Sequence, residues 1–165
     1  MSGSDNWNTP RKPIEWIVKF NRGKPIALDP CSNAKSCVGA LVEWYGHPGP
    51  NGLVLPWAVG GGLVYVNPPY SDKSTWLRKC LEEARSKRCH VIALIPADTD
   101  TDHWHRYCVP ATRRCFLRGR LVHTGVKSEP QPARFPSVLV YWNFRSPVAA
   151  AHWFERAFRP HGWVV

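Results

Sequence analysis

Four consecutive residues, Asn67-Pro68-Pro69-Tyr70, hold the densest chemistry in the chain. They directly follow Leu63-Val64-Tyr65-Val66, an apolar run that reads as a buried strand. Two successive prolines stiffen the backbone and remove two donors. The Asn67 side chain then presents a carbonyl oxygen, the Pro68 carbonyl stands outside any strand ladder, and Tyr70 offers a flat face at the same rim. This set suits transfer of a methyl group to a planar exocyclic amine. The lone pair of such an amine is delocalised into the ring, so the nitrogen is a poor nucleophile. Two acceptors on its two hydrogens localise that lone pair and stabilise the charge that develops. In-line positioning of the methyl group supplies much of the rest. An aromatic face holds a base that has left its stack. The plainer alternative is a rigid loop that ends a strand.

Other residues fall into place around this loop. Asp29 ends the short apolar run Ile26-Ala27-Leu28 between two prolines, which is how a buried parallel strand with a working carboxyl end looks. The alternative role for Asp29 is to cap the following turn. Thr9-Pro10 reads as a helix start, a hydroxyl cap followed by proline in the first turn. The same helix N-terminus is a natural anion site. Asn51-Gly52 favours a turn by itself. Arg118 and Arg120 flank Gly119, and Lys127 and Arg134 lie in the Pro-rich stretch 125–136. Each is either a solvated charge or a phosphate contact.

The elements that must position these groups alternate between strand and helix. Ile14, Ile17 and Val18 give one helical face ending near Arg22-Gly23, and residues 40–45 are apolar enough for a strand or a helical turn. A helix is expected over 74–87, with Ser74 as its cap and Trp76, Leu77, Cys80, Leu81 and Ala84 as its buried stripe. Strands are expected at 90–95, 115–117, 121–123, 137–142 and 163–165, and helices at 100–108 and 148–158. Residues 125–136 read as a long polar loop. The alternation predicts an α/β fold with a parallel sheet, in which ligands gather outside the carboxyl ends of the strands.

Composition narrows the function. The 165 residues fit one domain, 1–165, with no internal repeat and no room for a separate target-recognition domain. No apolar run approaches the length of a membrane helix, and the polar start 1–8 has no signal-peptide core, so no membrane association is expected. Lys and Arg number 22 against 12 Asp and Glu, a net charge of +10 that draws the chain to polyanions, above all nucleic acid. The six cysteines, Cys31, Cys37, Cys80, Cys89, Cys108 and Cys115, include no C-x-x-C pair. That argues against a zinc ribbon, a thioredoxin-type site or a zinc deaminase, and suggests a reducing cytosol. His103, His105 and Cys108 could be imagined as metal ligands, but a helix start before a buried thiol explains them as well, and no metal is expected.

Read in order, Trp7-x-Thr9-Pro10, Leu28-Asp29-Pro30, Asn33-Ala34-Lys35, Asn51-Gly52-Leu53 with Trp57, Asn67-Pro68-Pro69-Tyr70-Ser71, Leu94-Ile95-Pro96-Ala97 and Gly119-Arg120 form a series. This series resembles the phage-type DNA N6-adenine methyltransferases, the small Dam-like enzymes of bacteriophages and prophages, from about Trp7 to Trp142. The resemblance implies a Rossmann-like methyltransferase fold, S-adenosylmethionine as methyl donor and adenine in DNA as acceptor. It implies a catalytic set of Asn67, Pro68, Pro69 and Tyr70. It implies a donor-binding set of Trp7, Thr9, Pro10, Asp29, Pro30, Cys31 and Asn51. Arg118, Arg120, Lys127 and Arg134 are the candidate DNA contacts. A cytoplasmic setting follows, in a bacterium or in the host of a phage, with no obligate protein partner.

Two departures stand out. The loop Pro30-Cys31-Ser32-Asn33 lacks the glycines common in larger methyltransferases, and Asn51 replaces the usual Asp before Gly-Leu. Asn can still accept a hydrogen bond, and it can also donate. Asn-Pro-Pro-Tyr also serves methyltransferases that act on protein glutamine or on guanine N2 in ribosomal RNA; the charge favours nucleic acid over protein. Enzymes of cytosine N4 more often carry Ser at the Asn67 position. A DNA-binding relative without catalysis is the alternative from another class, and the glycine-poor loop is the feature in its favour.

Overall fold

The computed structural model describes residues 7–46, 48–125 and 131–165. A seven-stranded sheet runs through the centre. Its members are β2 (Leu28–Asp29), β3 (Val42–Glu43), β4 (Leu63–Val66), β5 (His90–Pro96), β6 (Arg113–Leu117), β9 (Ser137–Trp142) and β10 (Gly162–Val164). Their spatial order is β10-β6-β9-β5-β4-β2-β3. A second sheet of three short strands joins β1 (Trp7–Asn8), β7 (Val122–Gly125) and β8 (Gln131–Pro132) in the order β1-β7-β8.

The sheet alternates as a pleated sheet must. Val64 and Val66 point to the face covered by α2 (Lys73–Arg85), where they meet Trp76, Leu77, Cys80 and Leu81. Leu63 and Tyr65 point to the other face, which α1 (Arg11–Phe20) and α3 (Pro147–Phe158) cover with Ile14, Ile17, Phe154 and Phe158. The second face is aromatic: Tyr141 stacks on Phe154 at 5.3 Å, and Phe20 meets both edge-on. The result is a mixed α/β fold of three layers.

The parallel-sheet expectation holds for half of it. β3, β2, β4 and β5 are parallel, but β9 pairs antiparallel with both β5 and β6, and β10 is antiparallel to β6. β6 leads to β9 through β7 and β8 of the second sheet, and α3 crosses from β9 over β6 to β10. Periodicity alone does not carry strand direction.

Local differences have local causes. α1 begins at Arg11 with Pro10 at its cap position, and no side chain caps it. The Thr9 hydroxyl is engaged elsewhere. α2 begins at Lys73 after a single 3₁₀ turn, Tyr70–Asp72, so Ser74 lies inside the helix and caps nothing. The helix expected over 100–108 is mainly one π turn, Trp104–Cys108, closed by Val109 N–H donating to the Trp104 carbonyl. Residues 40–45 supply only the two-residue edge strand β3. Of the stretch expected as a loop, Gln131–Pro132 is a strand, with Pro132 at a sheet edge where its missing donor is harmless. No described helix is long and apolar enough to cross a membrane.

Candidate active site

Strand direction decides which residues can share a site. β2, β4 and β5 are parallel and end at Asp29, Val66 and Pro96, so those ends lie along one edge of the sheet. Pro96 pairs with Ser137, so antiparallel β9 starts at that edge. Phe116 pairs with Val138, so β6 ends there too. Asp29, Asn67, Asp98, the Arg118-Gly119-Arg120 turn and Phe135 are therefore all delivered to the carboxyl edge.

Asn67 is the first residue past β4. Its side-chain Nδ2 donates to Thr9 Oγ1 at 3.1 Å, and Thr9 Oγ1 lies 2.7 Å from the Tyr65 hydroxyl. Burial pushes the Tyr65 phenol well above its ordinary value, so it stays an O–H. Pro68 is buried and fixes the turn. Pro69 accepts from Asp72 N–H, which starts the single turn that carries Tyr70 toward α2. The Tyr70 ring is half-buried and meets Phe135 edge to face at 5.1 Å. Desolvation, with the Asp98 charge behind it, raises the Tyr70 phenol to about 12. It is therefore neutral over the whole working range of pH.

Below the Tyr70 turn, the buried Lys73 ammonium pairs with the Asp98 carboxylate. The pair ties the start of α2 to the segment after β5. Asp98 is held in turn by Thr101, whose hydroxyl donates to the Asp98 carbonyl at 2.7 Å. Removing one partner of such a buried pair would leave the other uncompensated.

Asp29 lies on the other side of Asn67. It is 3% exposed, and desolvation raises its carboxyl pKa from 3.8 to about 7, with Glu43 on neighbouring β3 adding to the rise. The Cys31 N–H opposes this by donating to Asp29 Oδ1 at 3.1 Å. So the turn-capping role and the placement at a strand's carboxyl end are both realised. The Cys31 thiol donates to the Asn67 carbonyl at 3.4 Å, which links the acid loop to the Asn67 loop. Burial and the Asp29 charge hold this thiol protonated. The buried Ser32 hydroxyl has no partner of hydrogen-bond geometry among the described residues, yet it approaches Asp29 closely enough to lower its pKa slightly.

The remaining candidates divide. Trp7 belongs to β1, paired with Gly125 of β7, one step before Asn8 and Thr9. Asn33 Nδ2 donates to Asn8 Oδ1 at 3.0 Å and the Cys37 thiol donates to the Thr9 carbonyl at 3.0 Å. The chain before α1 is thereby fastened to the loop after Asp29 and Pro30. Asn51 is exposed and its carboxamide shapes its own turn, accepting from Leu53 N–H at 2.9 Å. That is the turn role open to it from sequence. Gly52 explains its location: a Cβ there would sit 2.2 Å from the Pro30 carbonyl oxygen, so only glycine lets the two loops touch. Trp57 locks the arrangement by donating its indole N–H to the Gly52 carbonyl at 2.8 Å.

Arg118, Arg120 and Arg134 are exposed and form no ion pair with a described residue. Arg134 precedes Phe135, whose ring meets Tyr70, in the sequence. Lys127 lies outside the described residues. His103 bonds to Thr101, and no group of three or more His, Cys, Asp or Glu among the described residues could hold a metal ion.

Sequence reasoning did not mark Phe135, Lys73, Asp98, Tyr65 or Ser32. Phe135 had a signal, being the large apolar residue in a polar stretch. Asp98 had another, as the first acid past a buried parallel strand. Tyr65 looked like core, and its ring is core; only its hydroxyl belongs to the site.

A search of curated proteins returns no match. The family model described as Dam, DNA N-6-adenine-methyltransferase, matches residues 1–157. That span takes in the Asn67 loop, the Asp29 loop and every element that positions them, and the chain accordingly belongs to the Dam family of DNA N-6-adenine-methyltransferases.

Proposed function

We propose that this chain transfers a methyl group from S-adenosylmethionine to the N6 amine of adenine in DNA. The reaction uses a single Rossmann-like domain spanning 1–165 and a target base flipped out of the duplex. The observation that carries this reading is the Asn67 carboxamide, fixed at the carboxyl end of a buried strand between the Asp29 loop and Tyr70. Asn67 Oδ1 and the Pro68 carbonyl accept the two N6 hydrogens and localise the lone pair. Pro69 keeps that backbone rigid. The Tyr70 ring, braced by Phe135, stacks on the extruded base. Two neutral acceptors meet the needs of this amine without a metal.

The residues present fit the donor, which when bound supplies an electrophilic methyl group on a sulfonium sulfur. A methionine moiety carries one ammonium and one carboxylate. The buried Asp29 carboxyl is the anion for the ammonium, and the unpartnered Ser32 hydroxyl beside it is a further polar group. The start of α1 suits the carboxylate: its first turn has Arg11 and Lys12 and no acid, a surplus of positive charge at the positive end of the helix dipole. Three segments bound this space with their backbone: Trp7, Thr9 and Pro10 before α1, Pro30 and Cys31 after β2, and Asn51 in the loop that touches Pro30. Arg118, Arg120, Arg134 and Lys127 meet the phosphates. The work place is the cytoplasm, of a bacterium or of a phage's host.

The test is nucleoside mass spectrometry on unmethylated plasmid DNA incubated with the protein and S-adenosylmethionine, beside Asn67→Ala. N6-methyladenine is expected with the intact chain, and at least about 1000-fold less with the variant. A methylated base other than adenine would replace the acceptor. No methylated product in DNA, RNA or protein, together with no calorimetric heat for the donor, would make the chain a non-catalytic relative.

A further inference from the structure

We propose that Thr9 is a positioning residue that sets which end of the Asn67 carboxamide faces the substrate. The proposal rests on the catalytic reading of Asn67 given above. A carboxamide can occupy its site in two orientations related by a half turn, nearly equal in shape and opposite in chemistry. Only the orientation with Oδ1 toward the base accepts an amine hydrogen. The reversed one presents two N–H groups to an amine that is itself a donor. Thr9 Oγ1 accepts from the Nδ2 end at 3.1 Å. With the Thr9 proton directed to the Tyr65 oxygen 2.7 Å away, Thr9 has only lone pairs left for Asn67, which commits the opposite end of the carboxamide to be the acceptor.

The anchor is well built. Tyr65 lies in β4 and Asn67 is the first residue past it, so both are carried by the same strand end. The Thr9 hydroxyl bridges them, 2.7 Å from the Tyr65 oxygen. Tyr65 is 0% exposed, so its hydroxyl is fixed by a packed ring. Thr9 is 4% exposed, and its carbonyl is held by the Cys37 thiol at 3.0 Å. This accounts for the hydroxyl that sequence reading assigned to capping α1: the helix starts without a side-chain cap because that hydroxyl serves Asn67. It also separates two functions in one dipeptide, the Thr9 side chain acting on the catalytic loop while the helix start remains available to the donor.

The experiment compares Thr9→Val and Thr9→Ser in the full chain, with Asn67→Ala as reference. Donor affinity is read by calorimetry, and kcat and KM for DNA by methyl incorporation. Valine keeps the shape and removes the hydroxyl. Thr9→Val is expected to lower kcat about 10- to 100-fold, with donor Kd and KM for DNA within about twofold. Thr9→Ser restores kcat to within about threefold. Tyr65→Phe, which frees the anchor without removing it, loses less than Thr9→Val. Where the valine variant does not fold, Thr9→Ala takes its place with the same expectation. An unchanged kcat in Thr9→Val, with Asn67→Ala inactive, overturns the positioning role alone. A loss of donor affinity parallel to the loss of kcat overturns it too, because the hydroxyl would then serve the donor. A serine variant as slow as valine assigns the loss to packing and overturns it. An active Asn67→Ala overturns the reading of Asn67 on which the proposal stands.

Discussion

The two edges of the central sheet are both rich in positive charge, yet they are built differently. At the amino edge, Lys87, Arg88 and Arg145 line an open cavity of about 730 Å³ with Ala58, Gly60 and Gly61. The Arg145 guanidinium lies over Gly61, which at φ +84° has no side chain to block it. These three cations are exposed, and none of them forms an ion pair with a described residue. At the carboxyl edge the polar groups grip one another: Asn67 to Thr9, Thr9 to Tyr65, Cys31 to Asn67 and Asp29, Lys73 to Asp98. Charge alone thus does not mark a site in a chain of net charge +10. The amino edge has a polar chain of its own, with His90 Nδ1 3.0 Å from the Tyr141 hydroxyl and Asn143 Nδ2 donating to it at 2.9 Å. What marks the carboxyl edge is a buried carboxyl, Asp29, beside the unpartnered Ser32 hydroxyl and the linked Asn67 loop.

The sharpest way to test that contrast is the group whose burial costs most. The Asp29 pKa of about 7 lies above the ordinary 3.8, so the folded protein holds this proton more tightly than the unfolded chain does. The resulting penalty on folding is absent well below pH 4, grows between pH 4 and 7, and is complete above 7. Asp29→Asn is therefore expected to stabilise the protein at pH 8, by up to about 4 kcal/mol, and to change little at pH 4. The same substitution is expected to weaken donor binding about 100-fold at pH 8. If Asp29 holds the donor's ammonium as proposed, donor affinity in the intact chain is expected to rise as pH passes from 6 to 8 and Asp29 ionises. Thermal unfolding and donor calorimetry at the two pH values read both effects. A variant less stable at pH 8 would make Asp29 a structural acid, and the edge an ordinary loop cluster.

Tyr70 tests the next layer. Tyr70→Ala is expected to lower kcat/KM for DNA about 10- to 100-fold, the scale of one lost stacking contact. Tyr70→Phe costs only a few-fold, because the ring is what Phe135 braces. With the phenol near 12, neither variant is expected to shift the pH profile below pH 9. Equal losses in the two variants would give the role to the hydroxyl.

Legibility from sequence followed a divide between local and distant determinants. β4, β5, β9, α2 and α3 are visible because apolar spacing is a local property. Asn67 is visible because two prolines punctuate a strand end, and Asp29 because an acid closes an apolar run. The direction of β9 is not visible, since its pairing with β5 joins residues as far apart as Val91 and Trp142 without changing either segment's pattern. The bond from Asn67 to Thr9 spans 58 positions, and that from Tyr65 spans 56. A threonine before a proline carries the mark of a helix cap, and nothing local says that its hydroxyl is taken. Phe135 is drawn into the site only because antiparallel β9 begins at the carboxyl edge.

The smallest expected effects concern DNA, and distance decides between the two edges. β5 runs from His90 at the amino edge to Pro96 at the carboxyl edge, a span of roughly 20 Å at strand rise. The Debye length in physiological salt is about 8 Å. A duplex whose flipped base reaches Asn67 is thus more than two screening lengths from Lys87, Arg88 and Arg145, while Arg118, Arg120 and Arg134 share its edge. Replacing the three rim arginines with alanine is expected to raise the Kd for DNA and to lower the slope of log K against log salt by up to about 3, near one per lost phosphate contact. Replacing the three amino-edge cations is expected to leave that slope within about 0.5 of the intact chain. Fluorescence anisotropy across a salt series measures both. Equal changes in slope would mean that DNA also engages the amino edge, and the contrast between the edges would then hold for chemistry but not for binding.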